Sequence, residues 1–315
     1  MMWRAAGSCV LLIFVSLVGA LAQAAVDPVD ALAQMSMSLR ERNYQGLFTY
    51  EHGQKLSSLR ITHAVIDGQE HERLVRLDGQ ELSFSRHVHG PDCVHPGAVL
   101  LRSGYANQSV RLEELYQVQE IGRERIAGHQ GVVFQLLPRD RYRYGRLLVL
   151  EAETALLLKS EIRDPVGRVI ERFQFVELEL DSAAPVGEPT DTSIDIAGIH
   201  THRDLSDTTP LPVFDWQVGW VPNGFTVAGR QAASTNDPQA TADSEIYSDG
   251  LAVFTVFVEE ASDARIREAG VATQGATIAY TALRNDNRLV TVIGEVPVET
   301  AQLVASSVNF SPAQP

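Results

Sequence analysis

The sequence predicts a mostly β member of the α+β class: a large curved antiparallel sheet with covering helices, then a smaller antiparallel sheet with one helix. Three observations predict it. Hydropathy alternates with period two through successive segments from Gly46 to Leu180, and turn pairs such as Asp67-Gly68 and Asp78-Gly79 separate them. Helical periodicity with an apolar stripe is confined to short stretches near the two ends of the chain. Between Asp181 and Pro212 the pattern breaks into a run with four prolines and many Ser, Thr and Asp residues, the composition of a linker. The chain length exceeds what one core comfortably fills, so two domains are expected.

The elements follow in order. Met1–Ala6 carry one positive side chain, Arg4, and Cys9–Ala22 form an apolar run too short to cross a bilayer comfortably. Ala22-Gln23-Ala24 then gives a small-x-small cleavage pattern, so residues 1–24 are expected to be a secretory signal. Its loss removes Cys9 and leaves Cys93 alone, which excludes an intramolecular disulfide in an exported, soluble product. In "DPVDALAQMSMSLRERNY", Asp27 is an N-cap and Pro28 opens a helix whose Val29, Leu32, Met35 and Leu39 form one apolar stripe.

Extended segments follow. In "SSLRITHAVI" the residues Leu59, Ile61, His63 and Val65 share a face; in "QELSFSRHVHG" so do Leu82, Phe84, Arg86 and Val88. A polar helical stretch near Asn107–Tyr116 interrupts the sheet. Strands resume over Gln117–Ile126, Gly131–Leu137, Gly145–Glu151, Leu156–Arg163 and Arg168–Leu180, some ten in all. In the last, Phe173 and Phe175 share one face while Val176, Leu178 and Leu180 share the other, which predicts a bulge or a twist. Such a sheet must roll up or be covered by a helix. His63, on an apolar face, reads as a hydrogen-bonded core or cavity-lining histidine.

The first domain is thus expected over 25–182, a linker over 183–212 and a second domain over 213–315. The second contains a Pro222-Asn223-Gly224 turn, a central strand Leu251–Val258 that is apolar on both faces, and strands Thr277–Leu283 and Arg288–Glu295. Pro297 opens a closing helix that runs to about Val308.

Charge and motifs narrow the function. The net charge is −14, and residues 210–315 hold 5 basic against 12 acidic side chains, a poor match to nucleic acid. No G-x-S-x-G, H-E-x-x-H, phosphate loop or dinucleotide fingerprint occurs, so no catalytic residue and no cofactor is assigned. "RHVHGPDCVHP" gathers His87, His89, Cys93 and His95, a set that suits zinc or copper. The alternative is a polar turn beside a buried small thiol.

"NYQGLFTYEHG", "SLRITHAVIDGQEHERLVRLDG", "DRYRYGRLLVLEAETALLLKSEIRDPVGRVIERFQF", "YSDGLAVFTVFVEE" and "VTVIGEVPVETAQLVASSV" resemble the MucB/RseB family of periplasmic sigma-factor regulators. The N-terminal part is also similar to the LolA/LolB lipoprotein-carrier fold, a half-open barrel wrapped on helices. The resemblance implies a non-enzymatic periplasmic protein that binds the periplasmic part of a membrane-spanning anti-sigma factor. It would shield that partner from site-1 proteolysis and release it when lipid or lipopolysaccharide binds. In that frame Cys93 carries no metal role.

A half-open apolar barrel can take acyl chains, at about 0.8 kcal/mol per buried methylene. Leu59, Ile61, Val65, Leu82, Phe84, Phe173 and Phe175 are the candidate lining. Arg60, Arg73, Arg76 and Arg86 are the candidate rim, where guanidinium can grip lipid phosphate. Trp216, Trp220, Phe225, Tyr247 and Phe254 are candidates for partner contact, or else fill a small core. The rival functions are a lipid or lipoprotein carrier and a metalloprotein built on the His-Cys cluster; homo-oligomerisation stays open.

Overall fold

A computed structural model describes residues 27–79, 83–88 (backbone), 112–181, 212–233, 242–261, 269–284 and 287–311. Helix α1 (Pro28–Glu41) begins where the Asp27-Pro28 pair predicts, and the Ala31 amide donates to the Asp27 carbonyl. Ala31, Leu32, Met35 and Leu39 are buried, so the apolar stripe faces the core. The Ser38 hydroxyl ties the helix to the Thr154 carbonyl.

Nine strands form the first sheet: β1 (Tyr44–His52), β2 (Lys55–Ile66), β3 (Gln69–Arg76), β4 (Ser83–Val88), β5 (Tyr116–Ile126), β6 (His129–Pro138), β7 (Gly145–Glu151), β8 (Leu157–Arg163) and β9 (Val169–Leu180). Their spatial order is β4-β3-β2-β1-β9-β8-β7-β6-β5, all antiparallel. Two meanders are therefore joined through the β1–β9 pair. Among the described residues the edges, β4 and β5, do not pair with each other, the arrangement of a half-open barrel. A four-residue helix, α2 (Leu112–Leu115), precedes β5 and buries Leu112 and Leu115.

The turns are as the dipeptides demand: Asp67 and Gly68 both adopt positive φ between β2 and β3. Of the bulge or twist expected in β9, the structure has the bulge. Phe48 pairs with Phe175 and Leu47 with Glu177, so Val176 is skipped and left exposed. That slip returns Leu178 to the buried side, beside Phe173 and Phe175. Gly46 is required here, because a Cβ would lie 2.3 Å from the Glu177 carbonyl oxygen.

The second unit has a six-stranded sheet and a two-stranded one. Their strands are β10 (Trp216–Val218), β11 (Thr226–Gln231), β12 (Asp243–Ser248), β13 (Val253–Glu260), β14 (Gly270–Gln274), β15 (Thr277–Leu283), β16 (Arg288–Gly294) and β17 (Val308–Phe310). The larger sheet runs β11-β12-β13-β16-β15-β14, and β10 pairs with β17. Helix α3 (Val298–Ser307) packs on β15 and β16 through Ala301, Val304 and Ala305. Strand β13 is central, as its apolar residues on both faces predict. The sequence reading does not resolve β11, β12 or β14: β14 is exposed along its whole length, so burial imposes no alternation on it. Residues 182–211, which include most of the expected linker, lie outside the described residues.

Candidate functional site

The lining candidates divide by register. Gly46, Ile61, Leu74 and Phe84 occupy one row across β1–β4, and Phe48, Leu59 and Arg76 the next. Ile61, Phe173 and Phe175 are 1%, 4% and 1% exposed and share a core with Leu32, Met35 and Leu39 of α1. Phe48, Phe173 and Phe175 form an aromatic knot with ring centroids 4.8 to 6.0 Å apart. Leu59 packs against this core half-buried, and Val65 is half-buried near the end of β2. Leu82 and the Phe84 and Arg86 side chains lie outside the described residues.

Of the rim arginines, Arg76 pairs with Leu59 and so shares the lining face, and it lies near Asp78. Arg60 and Arg73 sit at positions of the opposite parity, opposite Val75 and Thr62. The four are therefore not one ring. His63 is a buried core histidine, stacked on Tyr44 at 4.8 Å with Nδ1 2.8 Å from the Arg42 carbonyl, while its Nε2 has no hydrogen-bond partner and lies 3.9 Å from Glu70. Of the His-Cys cluster, His89, Cys93 and His95 and the His87 side chain lie outside the described residues.

Four of the five second-unit aromatics, Trp216, Phe225, Tyr247 and Phe254, are buried in that unit's core. Trp220 is half-buried, and its ring meets Tyr142 of the first unit edge-on at 5.1 Å.

The junction between the two units is built on buried charge. The Arg143 side chain is fully buried. Its Nη1 donates to Asp249 Oδ2 at 2.7 Å, Nη2 to the Asn223 carbonyl at 2.6 Å, and Nε to Asp140 Oδ1 at 3.2 Å. The guanidinium lies over the rings of Tyr116 and Phe225. The Tyr116 hydroxyl donates to the same Asp249 oxygen at 3.1 Å. Burial, then the Asp249 charge, pushes the Tyr116 phenol well above its ordinary range. Burial opposes the Arg143 charge, but Asp249 and its other partners outweigh that and hold it firmly protonated.

Asp249 also shapes the turn that carries it, accepting from the Leu251 and Ala252 amides. Leu251 is thereby thrust into the first unit's core, where it is 0% exposed. The expected strand Leu251–Val258 starts two residues later for this reason. At Gly224, with φ +88°, a Cβ would lie 2.6 Å from the Leu115 side chain. The Thr300 hydroxyl donates to the Tyr142 carbonyl, and Glu299 pairs with Arg141.

A second polar cluster lies under β7–β9. Arg146 Nη2 donates to Glu295 Oε2 at 2.8 Å, both side chains being buried. The tip of the β14–β15 hairpin presses on the first sheet: the Ala276 amide donates to Glu171 Oε2 at 3.2 Å. Gly275 is so close that a Cβ would be 2.8 Å from both Glu171 Oε2 and His52 Cβ. Burial, then the Glu295 charge, pushes the Glu171 carboxyl up to about 7.

Sequence reasoning missed Arg143, Arg146, Glu171, Asp249 and Glu295. Their partners across the junction lie 80 to 149 residues away in the chain, beyond any local periodicity. The available signal was charge inside apolar strands: "YGRLLVL" and "VIGEV" each carry one charge that no solvent-facing alternation explains. Chemically the arrangement clamps two units together, and its perturbed groups are engaged in that contact.

Comparison with known proteins agrees with this two-unit plan. Residues 27–195 match the family model of the MucB/RseB N-terminal domain and 211–309 that of the MucB/RseB C-terminal domain. The chain is 32% identical to the sigma factor AlgU regulatory protein MucB of Pseudomonas aeruginosa, over 95% of this chain and 96% of that one. It is 27% identical to the sigma-E factor regulatory protein RseB of Escherichia coli K12, over 93% and 94%. A crystal structure of MucB in complex with MucA(peri) superposes with a TM-score of 0.67 at 31% identity, covering 91% of this chain and all of that one. The structure of the Pseudomonas aeruginosa MucA/MucB complex gives 0.66 at 29%, with the same coverage. Motifs, sheet order and these likenesses along both units agree: this chain belongs to the MucB/RseB family.

Proposed function

We propose that this chain is a periplasmic negative regulator of an envelope-stress sigma factor, acting by binding and without a reaction of its own. Its partner is the periplasmic part of a membrane-spanning anti-sigma factor, which it shields from site-1 proteolysis until lipid or lipopolysaccharide releases it. One observation carries this reading: nearly the whole chain, both units in order, is similar to a sigma factor regulatory protein, MucB, whose structure in complex with MucA(peri) it resembles. The first domain, 25–182, is the lipid sensor, with Leu59, Ile61, Phe173 and Phe175 on its apolar side and Arg76 beside them. Acyl chains would have to compete with α1 for Ile61 and Phe175, because those residues already pack against it. That gives a release mechanism, since lipid entry displaces the helix and disturbs the sheet on which the second domain rests. The second domain, 213–315, supplies partner contacts; its excess of acidic residues favours a basic partner segment. The test is titration calorimetry of the mature chain with the purified periplasmic segment of the anti-sigma factor from the same organism. Saturable binding is expected, weakened by added lipopolysaccharide; absence of binding at tens of micromolar would overturn the reading.

A further inference from the structure

The junction contains a charge imbalance that the clamp alone does not require. Glu171 belongs to the first domain and Glu295 to the second, and both are buried. Arg146 is the buried guanidinium beside them. Its Nη2 is committed to Glu295, while Nε and Nη1 have no hydrogen-bond partner. Two carboxylates and one guanidinium leave one uncompensated negative charge inside a buried contact, an arrangement that burial strongly disfavours. The other groups facing Glu171 do not cancel it. Tyr50 on β1 is neutral, its phenol pushed far up by burial and by Glu171. His52, paired with Glu171 across β1–β9, has its imidazole lowered by burial and then by Lys55 and Arg76, which disfavours a positive charge there. The Ala276 amide contributes one hydrogen bond, and Asp249 adds negative charge near Arg146.

We propose that Glu171, Glu295 and Arg146 form a proton-operated latch between the two domains, clasped when the Glu171 carboxyl is protonated and loosened when it ionises. On ionisation, two like charges oppose each other across the interface, one on each domain. The hairpin tip at Gly275-Ala276 is the contact that bears directly on Glu171 and so the first to lift. The direction follows from linkage. In the clasped form the carboxyl is held up to about 7 by burial and by Glu295; on parting it meets water and returns towards its ordinary value of 4.5. The clasp is therefore complete below about pH 4.5, weakens as pH rises through the interval, and levels off above about 7. One proton over that window changes the docking equilibrium by up to about 300-fold. The inference needs only the contact between domains, not the identity of any partner.

The experiment is hydrogen exchange of the Ala276 amide in the intact mature chain, without partner or lipid, from pH 4.5 to 9, corrected for intrinsic exchange. Protection is expected to fall about tenfold per pH unit up to roughly pH 7 and then level. Glu171→Gln keeps an acceptor for that amide but cannot ionise, so its protection should stay at the acid level throughout. Glu295→Gln removes the opposing charge, so its midpoint should move to lower pH whatever its absolute protection. A flat wild-type profile would overturn the latch. So would a Glu171→Gln variant that keeps the wild-type pH dependence, or a Glu295→Gln variant whose midpoint does not move.

Discussion

Leu251→Ala should weaken the first domain although Leu251 belongs to the second. The side chain is 0% exposed and sits among first-domain core residues. The Asp249 carboxylate fixes its backbone from within the turn. Truncation therefore loses the transfer energy of the isobutyl group and leaves a cavity that the pinned turn cannot collapse to fill. Buried Leu→Ala changes cost about 2–5 kcal/mol, the upper half applying where the site is rigid; about 4 kcal/mol is expected here. Denaturant unfolding can be followed by tryptophan fluorescence, which reports the second domain because Trp216 and Trp220 are the only tryptophans beyond the expected signal. Hydrogen exchange of the Leu148–Leu150 amides in β7 reports the first. Both should lose stability. If the fluorescence transition shifts while the β7 amides keep their wild-type protection, Leu251 is not part of the first core.

Two further outcomes follow from the same contacts. Arg143→Ala strands Asp249 and the Asn223 carbonyl in a buried site, and the loss should be about 3–5 kcal/mol in thermal or chemical denaturation. Gly46→Val places a Cβ 2.3 Å from the Glu177 carbonyl oxygen and 2.9 Å from the Phe175 ring. It should lower the melting temperature by an amount equivalent to about 1–3 kcal/mol or more, since the bulge at Val176 leaves the β1–β9 pair no room to yield.

Much of the first domain was legible because its strands obey one rule. A sheet with a buried side imposes period two, and Asp-Gly and Asp-Pro-x-Gly sequences punctuate it. Even the β9 bulge could be read, because Phe173 and Phe175 could not share a face with Leu178 and Leu180 without a slip. Strand β14 was not legible: fully exposed, it is ordered by pairing with β15 alone. The junction was illegible for another reason. Arg143 meets Asp249 and Arg146 meets Glu295 only once two separately periodic domains dock, and periodicity describes one sheet at a time. The aromatics offered as partner contacts illustrate the same limit. Size and turn proximity point equally to a surface anchor or to core, and burial places Trp216, Phe225, Tyr247 and Phe254 in the core.

Guarding of an anti-sigma factor by a clasped pair of domains is tested most directly by a proteolysis time course. The site-1 protease is incubated with the anti-sigma factor's periplasmic domain, alone and with saturating mature chain, and then with lipopolysaccharide added. Cleavage slowed at least tenfold by the chain and restored by lipopolysaccharide is the predicted result. Cleavage at the same rate with and without the chain, under conditions where the chain is folded and in excess, would contradict it.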